Sequence, residues 1–248
     1  MGQLLNTFKF EDLVDFYDLE KEILYFKLYN KSPFINSYHG WEHVKRIICS
    51  IHEISKINKL PHISIKNLMT AGIFHDFDYI GALPAADENE KTYDSKNIQA
   101  AINAYNTYLN NCRKYPDFDV EVVRQLILAS EYPKCLDASN LNLLESLFID
   151  CDRSMLIHDG YQYMCVLFCV NECNMDDQKE IQKKCLNYLN VLKFNNEHFQ
   201  RILDQNKNEI EENIVQFTDH MPIPELIRFR HNMTGWILAE EFNFEVIE

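Results

Sequence analysis

Three short stretches of this chain carry residue types that bind metal ions. His39 and His43 lie four apart in Tyr38-His39-Gly40-Trp41-Glu42-His43. His75 and Asp76 are adjacent, after the apolar residues 71–74. Asp150 and Asp152 flank a cysteine in Phe148-Ile149-Asp150-Cys151-Asp152-Arg153. Each stretch sits in an otherwise apolar helical pattern, where a charged side chain is costly unless it is paired or ligates a metal. Imidazole nitrogen and carboxylate oxygen together suit borderline and harder divalent ions such as Mn, Co, Ni, Fe or Zn. Two His and two Asp leave positions open on a five- or six-coordinate ion. Such an ion can acidify water toward a hydroxide nucleophile near neutral pH, or polarise a phosphoryl oxygen.

The elements that must position these residues read as helices. Residues 41–58 place Trp41, Val44, Ile47, Ile48, Ile51, Ile54 and Ile57 on one stripe, the mark of an amphipathic helix. Ser64 is a candidate cap for a second helix, with Ile65, Leu68, Met69, Gly72 and Ile73 on its buried side. A third starts at Asp94 or Ser95. Further helices are expected over 120–129, 141–155, 161–170, 177–192, 195–217 and 224–242, with Pro133 ending the helix before it. Residues 80–91 read as a loop, and the first 35 residues give no helical assignment. The fold class is therefore all-α with short connections. With 6 glycines and 7 prolines in 248 residues, tight hairpins are scarce, which disfavours a β-sandwich or barrel. No repeat or linker appears. The expected organisation is one helical domain over 1–217, with 218–248 as a helical extension packed on it.

Composition narrows the partners. The formal net charge is −14, half of it within residues 209–248. That balance argues against binding a nucleic-acid duplex, which needs a basic stripe. It leaves a small phosphorylated molecule open, because a metal can hold phosphates inside an acidic protein. No apolar run reaches the roughly 18 residues of a membrane span. The N-terminus lacks a signal-peptide pattern, so a cytoplasmic location with 8 reduced cysteines is expected. Cys165, Cys169 and Cys173 recur at four-residue spacing and read as small core residues on one helix face.

The order of the polar stretches resembles the HD superfamily of metal-dependent phosphohydrolases. Tyr38-His39-x-x-x-His43-Val44 is similar to its first motif, and Phe74-His75-Asp76-x-x-Tyr79 to its second. Asp87-Glu88-Asn89-Glu90 followed by Ser95 resembles the Asp-Asn-Glu-Glu-x-Ser-Ala stretch of one branch, and Asp150-Cys151-Asp152 that branch's Asp-Ala-Asp. Residues 184–214 resemble its closing helices. The similarity covers about residues 36–217.

This resemblance implies an HD-domain helical bundle with additional C-terminal helices. It implies one divalent ion (Mn, Co, Ni, Fe, Zn or Mg) held by His43, His75, Asp76 and Asp152. Asp150 would hydrogen-bond a ligand histidine, and His39 would stand beside the ligands or contact phosphate. The chain departs from the family at Tyr79, where many relatives have an acid. Glu90 or Asp78 would then be the catalytic acid or base. Lys45, Arg153 and Tyr79 would meet the substrate. The implied activity is attack of a metal-activated water on a small phosphorylated substrate, foremost a deoxynucleoside mono- or triphosphate. No further histidine lies between His75 and the final Asp, which favours a mononuclear site over a dinuclear phosphodiesterase or di-iron oxygenase. A non-catalytic metal- or nucleotide-binding regulator and an iron-dependent oxygenase of the same fold remain as alternatives. The acidic C-terminal segment is a candidate surface for a protein partner or a homodimer.

Overall fold

The computed structural model describes residues 9–33, 37–81, 93–112, 116–131, 140–158 and 161–220. The expected helix over 224–242, Pro133, Glu90 and most of the 80–91 loop lie outside them. Among the described residues there are ten α-helices and no strand. The all-α expectation is met.

The helix with the clearest stripe, α3 (Trp41–Asn58), forms over the predicted span and buries Trp41, Val44, Ile47, Ile48, Ile51 and Ile54, while Ile57, expected on the same stripe, is exposed in the last turn. It ends at Lys59, whose left-handed φ of 51° breaks the helical path. The next helix, α4 (His62–Phe74), begins just after Pro61, earlier than a cap at Ser64 would place it. Proline suits that boundary because it lacks the N–H that the first turn leaves unbonded anyway. Every residue from 65 to 74 is buried, so α4 has no solvent face. It is the central helix, packed against α2 (Glu20–Tyr29), α3, α5 (Tyr93–Asn111), α6 (Val120–Ala129) and α7 (Leu143–Arg153). The approach of α3 to α4 depends on Gly72: a Cβ there would stand 2.6 Å from the Cγ2 methyl of Ile47.

Several polar side chains inside this core are bonded. The ammonium of Lys66, 2 % exposed, donates to the carbonyl of Asp18 at 3.0 Å and to the carboxylate of Asp117. Asn67 accepts from the N–H of Asp119 at 2.8 Å. Asp119 itself caps α6 by accepting from Glu121 and Val122. Asn142 and Glu145 close a reciprocal capping box on α7.

Two helices are absent from the sequence reading, α1 (Phe10–Phe16) and α2. On α2 the apolar pattern is mixed, with Ile23 and Phe26 buried beside Glu22 but Leu24 and Leu28 exposed, so no clean stripe marks it. The expected helix over 141–155 is α7 followed by a 3-10 turn, Ser154–Ile157. The one over 161–170 is short: α8 (Tyr163–Leu167) widens into a π-helical turn, Phe168–Glu172. Then come α9 (Gln178–Val191), capped by Asp177, and α10 (Glu197–His220). Helix α10 packs on α9, α8 and the 3-10 turn.

Candidate metal centre

Three helices end or begin at one point. His43 lies in the first turn of α3, His75 is the residue that ends α4 with Asp76 next, and Asp152 is in the last turn of α7. The C-terminal ends of α4 and α7 carry the partial negative charge of unpaired carbonyls, which favours a cation there.

The side chains converge through their outer atoms. His43 Nε2 is 3.0 Å from Asp152 Oδ1 and 3.4 Å from Asp76 Oδ2. His75 Nε2 is 2.9 Å from Asp76 Oδ2 and 3.4 Å from Asp152 Oδ1. His43, His75 and Asp152 each offer a ligand atom, all within 4.8 Å of one another. Donors bound about 2.1 Å from a common ion stand roughly 3.0–3.4 Å apart at angles between 90° and tetrahedral. Three of the four imidazole–carboxylate separations fall in that range, and the fourth, 2.9 Å, lies just below it.

Hydrogen bonding satisfies these atoms only in part: His43 Nε2 and Asp152 Oδ1 are bonded at 3.0 Å. His75 Nε2 and Asp76 Oδ2 are buried without a hydrogen bond despite their 2.9 Å separation. His75 Nδ1 lies 3.0 Å from the carbonyl of Gly72, which can only accept. That contact places a proton on Nδ1 and presents Nε2 toward the cluster, the usual way a ligating imidazole is oriented.

The electrostatics agree. Burial alone would raise the carboxyl of Asp152, but His43 and His75 hold it well below the usual carboxylate range. Burial likewise opposes ionisation of Asp76, and His75 and His39 overcome it. Burial would lower His75, yet Asp76 and Asp152 push it well above the ordinary histidine value. Two largely desolvated carboxylates thus call for shared positive charge, and a divalent cation matches the donors and the charge. His43 and His75 are buried, whereas the Asp76 and Asp152 side chains keep 13 % and 24 % exposure, so the cluster opens on its carboxylate side.

His39 stands beside the cluster, its ring 5.8 Å from that of His43 and stacked at 4.1 Å on Tyr79. Its Nδ1 lies 2.5 Å from Glu172 Oε2, and its backbone N–H donates to Glu172 Oε1 at 3.2 Å. Burial would depress its pKa, but Glu172 and then Asp76 raise it to about 9. Phe168 packs edge-on against both His39 and Tyr38, and Tyr38 lies over His43. Glu172 was not expected from the sequence. The only signal was a lone acid after the apolar run 163–170, and the wide π turn breaks the spacing from which its direction could be extrapolated.

Other expected residues lie elsewhere. Asp150 was expected against a ligand histidine. Its carboxylate instead accepts from the N–H of Asn195 at 3.1 Å, the Asn195 amide at 3.2 Å and the N–H of Asn196 at 2.6 Å. Two positions along a helix turn a side chain about 200°, so Asp150 faces the start of α10 while Asp152 faces the cluster. Asp78, a candidate acid, sits at a left-handed φ of 58° and accepts from the N–H of Lys31 at 2.6 Å, which staples the loop after α2. Lys45 pairs with Glu42 one turn back. Arg46 bonds Ser50 at 3.2 Å and faces Glu53. Arg153 is partly buried at the end of α7, where its charge acts on Asp150. Glu90 falls outside the described residues. The described structure therefore gathers His39, His43, His75, Asp76, Asp152 and Tyr79, and leaves Asp78, Asp150 and Lys45 bonded to other partners. A scan of protein-family models and a search of curated proteins return no match to the chain, so the functional reading rests on this site.

Proposed function

We propose that the chain is a metal-dependent phosphohydrolase acting on a small phosphorylated molecule, foremost a nucleotide. The observation that carries this reading is the convergence of His43, His75 and Asp152 on one point, with Asp76 beside both histidines and the carboxylate side partly exposed. A divalent ion held there would supply Lewis acidity toward a phosphoryl oxygen and an acidified water. The resemblance of the motifs to HD phosphohydrolases supports the substrate class.

The protein's own contribution is a proton donor. Glu172 fixes the His39 ring through Nδ1 and favours its protonated form, with a pKa of about 9. At neutral pH His39 therefore carries a proton that it can give to a departing alkoxide, the role of a general acid. Tyr79 and Phe168 restrict the ring by stacking and edge contact. His39 thus takes the acid role for which Asp78 and Glu90 were the candidates by sequence.

The test is phosphate or pyrophosphate release from a panel of nucleotides with Mn, Co, Ni, Mg, Zn and Fe in turn, beside Asp76→Ala. Turnover of one nucleotide class that disappears in the variant is expected. Metal binding by the wild-type protein with no release from any nucleotide would overturn the reading.

A further inference from the structure

The cysteines at four-residue spacing do not all serve as inert core. Cys165 and Cys169 are buried as expected, but Cys169 meets Cys185 of α9, with the two sulfurs 3.8 Å apart and each residue 2 % exposed. Both are free thiols. Among the described residues, the only group of three or more His, Cys, Asp or Glu donors within 4.8 Å of one another is the His43 cluster. A thiolate metal site therefore lacks ligands here, whereas a disulfide needs only the two sulfurs in contact.

We propose that Cys169 and Cys185 are a redox-sensitive dithiol whose closure to a disulfide acts on the metal centre through the π-helical turn. Cys169 is the second residue of that turn, and Glu172 is its last. Glu172 makes both contacts that fix His39. A disulfide is about 2.05 Å long, so closure draws the sulfurs together by roughly 1.8 Å. On the α9 side Cys185 lies within a regular helix with Ile181 and Leu189 packed on the same face, so the displacement falls on the π turn. Glu172 shifts with it, and His39 loses its bidentate partner.

The burial of both sulfurs calls for a small uncharged oxidant, and hydrogen peroxide is of that class. One thiolate attacks a peroxide oxygen, the O–O bond breaks and water leaves after protonation, giving a sulfenic acid. The second thiol attacks that sulfur and expels a second water. Two thiols and one peroxide thus become one disulfide and two waters. The hydrogen bond with Cys185, and then burial, push the Cys169 thiol up and favour its protonated form, so closure is slower than at an exposed thiolate.

The coupling to turnover rests on the phosphohydrolase reading; the disulfide does not. The experiment treats the full metal-loaded chain with hydrogen peroxide, alkylates remaining thiols under denaturing conditions, and maps cross-linked peptides by mass spectrometry. The expected result is one Cys169–Cys185 link, reversed by dithiothreitol and absent in Cys185→Ala. Faster amide exchange over 168–172 is expected on oxidation whether or not a substrate is known. With a substrate in hand, turnover falls about 10-fold or more while bound metal stays constant, and Cys185→Ala keeps its activity under peroxide. Oxidation of the half-buried Cys173 with no Cys169–Cys185 link would overturn the dithiol. A link that leaves both exchange and turnover unchanged would overturn the coupling.

Discussion

Two buried imidazoles each stand within 3.4 Å of two partly exposed carboxylates, an arrangement that calls for positive charge shared among them. Protons can supply it, as the elevated His75 shows, but a divalent ion does so without leaving Asp76 Oδ2 unbonded. Binding to the folded chain alone stabilises it by about 2.7 kcal/mol at a hundred times the dissociation constant. Manganese or zinc should therefore raise the melting temperature of wild-type protein in a dose-dependent way and leave Asp152→Asn nearly unmoved. An equal rise in both proteins would remove Asp152 from the ligand set. Glu172 makes a second prediction. Its carboxylate is the largest influence raising the His39 pKa, so a reaction that needs protonated His39 loses rate as pH climbs through the raised value. Glu172→Gln should move this alkaline limb to lower pH and cut kcat roughly 10- to 100-fold, with metal content unchanged. An unshifted limb would deny His39 the acid role. The residues of the candidate metal group were legible because polar side chains in apolar helices are rare; Glu172 was not, because its partner lies 133 positions away.

The helices place the site more than the loops do. The α3–α4 contact is set by Gly72, whose neighbouring methyl on Ile47 leaves no room for a side chain. Gly72→Ala gains about 1 kcal/mol of helix propensity. Overpacking costs about 1–3 kcal/mol, and a methyl branch at Cβ of Ile47 has little freedom to turn away. Net destabilisation is expected in urea unfolding. Because α3 carries His43 and α4 carries His75, a weaker metal affinity should accompany it. Full affinity with lost stability would mean that the strain is absorbed away from the helix ends. Helices with an unbroken stripe, α3 and α6, were readable nearly to the residue, since alternation of buried and exposed positions follows directly from their packing. Helix α4 was readable in its existence but not in its centrality, because a helix buried on all sides has no polar face to give its orientation. The π turn is invisible to a 3.6-residue period for the reason that it departs from it.

At the scale of the molecule one core runs from α1 to α10 around α4, and its polar weak point lies opposite in character to the metal centre. Glu22 of α2 is buried, accepts from the hydroxyl of Tyr108 on α5, and leaves Oε2 without a hydrogen bond. Lys66 of α4 lies near enough to lower its pKa and Asp117 near enough to raise it, but burial dominates, and the carboxyl is pushed above its ordinary value of 4.5. The unfolded chain releases this proton near 4.5 and the folded chain only at higher pH. The contribution is therefore fully present below 4.5 and is lost as pH rises through the folded value. Replacing the carboxyl by an amide keeps the acceptor for Tyr108 and removes the ionisation. Glu22→Gln should thus gain on wild type as the pH is raised from about 4 to about 7 in parallel urea titrations. Wild type gaining on the variant over the same interval would mean that Lys66, not burial, governs Glu22, and that the junction of α2, α4 and α5 is held by an ion pair.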